Sequence, residues 1–393
     1  MRFLDLNTFY APTGGGIRTY HNAKLAWFTQ HPEHDYTLVA PGTHRHTEAL
    51  APNVRIAYVR GLATSRTPGG YRLMLDVPGV RAALRDANPD VVEAGDPWFS
   101  SPLALRFRPP GALVSSFLHA DPVRTWLGPF GDAAGRTRAL RRWLARTLGA
   151  RIHRFQSRFD LSVVASQHMA AYLRAQGVPR VVRVPFGVDA RYFSPPTPRD
   201  PSEPVRLLFA GRLGAEKGAP VLLDALPRLL ALPNVSLTVV GRGALAARFD
   251  AVQHPRYRRL GFVSNPDDLA ALYREHDVYL ALSPFETFGL SLLEAMASGC
   301  VPVGADAGGI AEQLAAADLP FTFSSGDPGN LLDTVQRVLA SDLDAAAWQA
   351  YRSARDTYGT WDDAVQRLVT MYEQHRDAAG LGAQRSPANE GVA

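Results

Sequence analysis

Short apolar runs separated by helical patterns are the feature of this chain that leaves it the fewest ways to fold. In the first half the runs are Arg2–Leu6, Tyr36–Ala40, Val54–Tyr58, Val91–Ala94, Ala112–Phe117, Ser162–Ala165 and Val181–Val184. A strand with one wet face alternates apolar and polar residues, whereas a strand buried on both faces reads as a nearly unbroken apolar run. These runs therefore predict a parallel sheet covered by helices on both sides. Right-handed crossovers should connect its strands.

The pattern stops at S-P-P-T-P-R-D-P-S-E-P, Ser194–Pro204, where five prolines fall in eleven residues without apolar periodicity. This composition predicts a linker over 191–204. The alternation then restarts with Val205–Ala210, Ser236–Val240, Arg259–Val263, Val278–Leu282 and Val301–Val303. The expected architecture is α/β: two doubly wound Rossmann-like domains, 1–190 and 205–360, facing a central cleft. Asp344–Tyr358 and Trp361–Arg376 read as helices with no strand between them, and the second, over 361–377, is expected to cross back to the first domain. Residues 378–393 lack periodicity and read as a disordered tail. Ligands bind such sheets at the carboxyl ends of the strands, so the chemistry is sought in the turns that follow them.

Composition narrows the class. Of 393 residues, 46% are hydrophobic and 20% charged, which excludes global disorder. The single cysteine, Cys300, excludes a disulfide scaffold and a cysteine-based zinc site, and is expected to pack as a small apolar residue. The first residues do not form a signal peptide, and no stretch is apolar enough to span a membrane, so a soluble, cytoplasmic protein is expected. Residues 1–190 carry 24 Lys and Arg against 13 Asp and Glu, and this basic half points to an anionic surface or ligand. Among the basic residues are only two lysines. Lys217 falls in a phosphate-type turn, whereas Lys24 falls in an ordinary helix and reads as a surface residue.

Five segments after strands can carry chemistry. T-G-G-G-I-R-T-Y, Thr13–Tyr20, opens the first helix with three glycines. It reads either as an anion-binding loop on unpaired helix N–H groups, with Gly15 and Gly16 allowing close approach, or as a tight turn. It matches neither the dinucleotide fingerprint nor the P-loop. G-R-L-G-A-E-K-G, Gly211–Gly218, places Arg212 and Lys217 around a strand-to-helix turn. A guanidinium that grips two oxygens and a mobile ammonium suit a diphosphate and can stabilise charge on it as it leaves. S-P-F-E-T-F-G-L-S-L-L-E-A-M-A-S-G, Ser283–Gly299, has Glu286 in the loop and Glu294 eight residues on, in a nearly apolar helix. Carboxylates accept hydrogen bonds from sugar hydroxyls, and the helix start between these two would receive phosphates. His119 follows a strand end in S-S-F-L-H-A-D-P and can act on a sugar hydroxyl, as an acid or base, or simply as a strand cap. Gly308–Gly309 forms one more strand-to-helix turn, expected to line the same cleft.

Two further readings concern partners. Arg136–Phe159 carries an apolar helical stripe and eight arginines with no acid. It suits an anionic membrane face or acceptor, or equally a core stripe with a solvated arginine face. No nucleic-acid-binding motif accompanies the basic charge. The only D-x-D, Asp342 to Asp344, lies away from any expected sheet edge, and no histidine pair has ligand spacing there, so no metal site is expected.

Taken together, Glu286 with Glu294, the turn holding Arg212 and Lys217, the loop Gly14–Gly16, His119 and V-P-F-G-V-D at Val184–Asp189 resemble the family 4 retaining glycosyltransferases of the GT-B fold, in the expected order over nearly the whole chain. The resemblance implies that Glu286 binds donor-sugar hydroxyls and that Gly211 and the backbone of Thr287, Phe288, Gly289 and Leu290 surround the diphosphate and sugar. It implies that Glu294 binds the ribose, that Arg212 and Lys217 neutralise the leaving diphosphate, and that His119 contacts the sugar near its anomeric centre. It implies metal-independent transfer with retention from a GDP-sugar or UDP-sugar, without a cofactor, to a glycan or lipid-linked acceptor. Mannose and glucose lead on family frequency. An epimerase on the same fold and a non-catalytic carbohydrate-binding protein are the other readings. The location could extend to the inner face of the cytoplasmic membrane.

Overall fold

The computed structural model describes residues 1–11, 15–63, 71–121 and 147–381. Two compact units emerge. The first comprises Met1–Ala165, Met169–Pro185 and the chain from Ala364; the second comprises Ser166–His168 and Phe186–Asp363.

The first unit holds β1 (Arg2–Leu6), β2 (Asp35–Gly42), β3 (His46–Ala51), β4 (Val54–Ala63), β5 (Arg72–Met74), β6 (Val91–Ala94), β7 (Leu113–Leu118), β8 (Leu161–Val164) and β9 (Val181–Arg183). They run in the order β3-β4-β2-β1-β6-β7-β8-β9, with β5 on β4. All pairs are parallel except those of β3 and β5 with β4. Those two strands escaped the sequence reading because they lie at the margin: β3 is exposed along nearly its whole length and carries no apolar run. Leu4, Leu6, Val39, Val92 and Val114 form the core on one side of the sheet, as buried parallel strands require.

The second unit holds β10 (Val205–Ala210), β11 (Val235–Val240), β12 (Tyr257–Leu260), β13 (Val278–Ala281), β14 (Val301–Ala305) and β15 (Thr322–Phe323), in the order β12-β11-β10-β13-β14-β15 and parallel throughout. The order runs outward from β10 in both directions, so the topological switch falls between β10 and β13. Loops after those two strands are where an open α/β sheet binds ligands.

The proline-rich segment differs from the linker expected over 191–204. The chain passes into the second unit at Phe186, and the prolines lie as a strap on that unit's own elements. Ser194 donates to the Ala297 carbonyl at 3.0 Å, and the Arg199 N–H reaches Asp344 at 3.2 Å. Proline has no N–H to donate to a sheet ladder, so a segment this rich in proline lies across the unit as an extended strap and does not extend the sheet. The helix Trp361–Ala378 begins in the second unit and belongs to the first from Ala364 on. There Tyr372 donates to Glu93 at 2.7 Å, and Arg376 reaches Asp90 at 3.4 Å.

Part of the segment Arg136–Phe159 lies outside the described residues. Within the rest, 147–156 is helical, Ile152 and Phe159 are buried, and Arg151, Arg154 and Arg158 are exposed. The described stretch is thus a core stripe with a solvated arginine face. Among the described residues no helix is long and apolar enough to cross a membrane.

Candidate functional site

The second unit gathers its motifs at the carboxyl edge of its sheet. After β10 the chain makes a turn whose 3₁₀ segment is Ala215–Lys217. Gly218 then adopts φ +75°, and a Cβ there would lie 2.2 Å from the Leu282 carbonyl oxygen. Only glycine lets this turn press against the end of β13. Ser283 tightens the contact by donating to the Glu216 carbonyl at 2.7 Å. The outcome is a 2.5 Å ion pair between Lys217 Nζ and Glu286 Oε2, residues 69 positions apart. Arg212 is more solvated, with 74% of its side chain exposed and Glu216 at 3.4 Å.

The loop from Glu286 to Gly289 leads into the helix Leu290–Ala297, whose N-cap Gly289 has φ +99° and supplies no side-chain cap. The first N–H groups of the helix therefore face outward with a partial positive charge, beside the Lys217–Glu286 pair. Phe288 contributes backbone only: its ring is buried against Phe186 and Tyr358, at centroid distances of 5.1 and 5.8 Å. Thr287 precedes it in the loop, and Leu290 is the first residue of the helix. Glu294, on that helix, accepts from the Tyr273 hydroxyl at 3.3 Å. Burial raises its carboxyl to about 7; the Tyr273 bond opposes this and the Asp189 charge adds to it. Gly211, at the end of β10, donates to Val240 O at 3.1 Å, and its own carbonyl lies 1.8 Å from where a Cβ on Gly241 would be.

A larger cavity of about 670 Å³ touches none of these residues; Arg199, Asn234 and Leu343 are among its walls, at the opposite edge of the sheet. Asp342 is a helix cap there, its side chain accepting from the Ala345 N–H.

In the first unit Gly15 is the N-cap of the helix Gly16–Gln30; both glycines are exposed, and the helix start has no side-chain cap. Gly14 lies outside the described residues. His119 follows β7, stacks on Phe117 at 4.7 Å and meets Tyr20 edge-on at 4.9 Å. Burial pushes its imidazole well below the usual value, and the charges of His21 and Lys24 add to this. It is therefore neutral at neutral pH and can donate from one nitrogen while accepting at the other.

Lys24 is not on the surface. It is buried, 2.6 Å from Asp5 and 3.3 Å from Glu93, which occupy paired positions on β1 and β6. Tyr36 donates to Asp5 at 2.7 Å, Tyr20 to Glu93 at 2.8 Å, and His21 lies 3.3 Å from Asp5. Burial pushes Asp5 up, but Lys24 and His21 outweigh it and hold the carboxyl at about 2. Burial and then the Asp5 charge raise Glu93 to about 7. Its place in an ordinary helix reads as a surface position; the two acids on apolar strands are the sign in the sequence that a buried cation is needed.

The comparisons with known proteins agree with this layout. Residues 204–341 match the family described as glycosyl transferases group 1, and residues 15–192 match glycosyltransferase family 4. A GDP-mannose-dependent alpha-(1-6)-phosphatidylinositol dimannoside mannosyltransferase of Mycobacterium tuberculosis is 30% identical over 317 residues, covering 76% of this chain and 78% of that protein. The chain is a family 4 glycosyltransferase. A glycogen synthase of the same species is 27% identical to this transferase over 98% of the chain and 97% of the synthase. Among solved structures, sucrose-phosphate synthase from Thermosynechococcus elongatus superposes with a TM-score of 0.73 at 18% identity, over 96% of this chain and 100% of that one. The transferase thus has the GT-B fold.

Proposed function

We propose that the transferase moves a hexose, mannose first among the candidates, from a nucleotide-diphosphate sugar to a hydroxyl of a lipid-linked or glycan acceptor, with retention and without a metal ion. The observation that carries this reading is the Lys217–Glu286 pair beside an uncapped helix start at the topological switch of the second sheet. A diphosphate there meets an ammonium, the Arg212 guanidinium and backbone N–H groups, so its charge is balanced by the chain itself. The mannosyltransferase named above, with its dependence on GDP-mannose, supports the choice of sugar and of GDP.

The pair also suggests how the donor is received. An incoming diphosphate draws Lys217 away from Glu286, and the freed carboxylate accepts hydrogen bonds from sugar hydroxyls. Glu294, whose Oε2 accepts from Tyr273, holds the ribose through the acceptor sites that remain on its two oxygens. In the transfer the bond from the anomeric carbon to the phosphate oxygen breaks, and a bond from that carbon to the acceptor oxygen forms on the same face. The departing phosphate oxygen takes the acceptor's proton. Lys217 and Arg212 stabilise the charge left on the diphosphate.

Titration calorimetry with GDP, UDP and GDP-mannose, on the protein and on Glu294→Ala, tests the donor assignment; tight GDP binding weakened by the substitution is expected. The linkage of the product, read by NMR, then decides retention, and turnover that survives EDTA decides metal independence. Normal turnover in an Arg212→Ala, Lys217→Ala double variant would sink the mechanism. Conversion of the nucleotide sugar with no acceptor present would move the assignment to an epimerase.

A further inference from the structure

We infer that Gln313, a residue no sugar or phosphate would touch, aims the two backbone N–H groups that receive the diphosphate. It lies on the helix Gly308–Ala316, after β14, and is buried. Its Nε2 donates to the Phe288 carbonyl at 2.6 Å and lies 3.3 Å from the Gly289 carbonyl. Only the amide nitrogen can face two carbonyl oxygens, which settles which way the amide is turned. Its Oε1 is buried and has no hydrogen-bond partner among the described residues. A half-satisfied buried amide is destabilising, and packing alone would not call for one.

The consequence follows from peptide geometry. In a trans peptide the C=O and the N–H point in opposite directions. The Phe288 carbonyl shares its plane with the Gly289 N–H, and the Gly289 carbonyl shares its plane with the Leu290 N–H. One amide nitrogen that gathers both carbonyls therefore turns both N–H groups the other way, out from the start of the helix Leu290–Ala297. Adjacent planes can face alike in this manner because Gly289, at φ +99°, takes the left-handed conformation between them. The same helix clamps the near end of the loop: Gly309 donates to the Glu286 carbonyl at 2.9 Å. A Cβ on Gly308 or Gly309 would fall 2.2 Å from Glu286 O or 2.3 Å from Phe288 O, so only glycines let the two segments approach this closely. Gln313 is thus a positioning residue: it acts on the ligand through the loop, and its role is to keep two donors preorganised.

This inference rests on the reading of this edge as a diphosphate site, and its test separates the two. Calorimetry compares GDP with GMP, and UDP with UMP, on the protein, on Gln313→Leu and on Gln313→Glu. The leucine keeps the packing and removes the donor. Its diphosphate affinity should fall by about 10-fold or more, with the monophosphate affinity much less affected, so that the ratio between them collapses. In Gln313→Glu a buried carboxyl can donate only while protonated. Its diphosphate affinity relative to its monophosphate affinity should weaken as pH rises, a step the unmodified protein lacks because the ribose contact of Glu294 is common to both ligands. Should the leucine variant fail to fold, the pH step in the glutamate variant decides alone. A diphosphate-to-monophosphate ratio unchanged in the variants, with no added pH step, would overturn the role of Gln313. If the unmodified protein binds diphosphates no better than monophosphates, it is the donor site itself that is misread.

Discussion

The chain has two lysines, and each forms a close ion pair with a carboxylate, yet the two pairs do opposite work. Lys24 Nζ lies 2.6 Å from Asp5 with both side chains only 2% exposed. Lys217 Nζ lies 2.5 Å from Glu286 with 29% and 22% exposed. The lengths are nearly equal, so surroundings make the difference. Around Lys24 the two acids, three tyrosines and His21 form a closed set of partners, and removing the lysine leaves two buried carboxyls without their cation. Around the Lys217–Glu286 pair solvent can take up the ammonium and the N–H groups of a helix start can take up the carboxylate, so the pair can open for an anion at small cost. A buried ion pair specifies a structure, and a half-exposed one keeps its charges available.

This contrast is best broken by exchanging the two roles. Lys24→Met should be the more damaging to stability: leaving Asp5 and Glu93 buried without their cation should cost about 3–5 kcal/mol, read as an early thermal transition of the first unit. Nucleotide binding by whatever protein remains folded should be little changed. Lys217→Met should do the reverse. Stability should move by less than about 1 kcal/mol, whereas kcat should fall by about 10²–10³ through lost stabilisation of the leaving diphosphate. A stable, active Lys24→Met protein, or a Lys217→Met protein that unfolds, would erase the distinction.

Acidity sharpens the comparison further. Asp5 titrates at about 2 in the fold against an ordinary value of 3.8, so its share of stability is present above pH 4 and lost as pH falls toward 2. Glu93 has the opposite sign. Raised from 4.5 to about 7, it binds its proton more tightly in the folded state, so stability falls as pH climbs through that window. Unfolding followed from pH 4.5 to 7.5 should show this decline reduced in Glu93→Gln; an unchanged slope would remove Glu93 as its source.

The smallest effect is expected at the nucleotide. Glu294, raised to about 7, accepts ribose hydroxyls best when ionised. Nucleotide affinity should therefore rise by about tenfold or less as pH passes through 7, and calorimetry with a 2′-deoxynucleotide should find most of that rise gone.

Most strands of both sheets were legible because an apolar run and its bounding turn are local; β12 lies two to three residues before the expected run Arg259–Val263, and the two-residue β15 carries no run at all. Val91–Ala94 and Val205–Ala210 appear in the fold with the limits their sequences suggest. Two of the donor-side candidates were legible for a related reason: in an α/β sheet the turns after the strands reach the same edge, so Lys217 and Glu286 meet without any long-range rule. The antiparallel strands β3 and β5 were not legible, since a marginal strand gains its partners from the sheet and carries no run of its own.

The sequence by itself determined the fold class, the order of the motifs and the family, all of which follow from residues near one another in the chain. Only the tertiary structure decided which lysine is buried, that the proline segment is a strap and not a free linker, and that Gln313 faces the Phe288 and Gly289 carbonyls. Each depends on partners that meet across the chain, Lys24 with Glu93 over 69 positions and Gln313 with Phe288 over 25. Periodicity tells which face of a helix turns inward. It does not tell which charge or amide waits there.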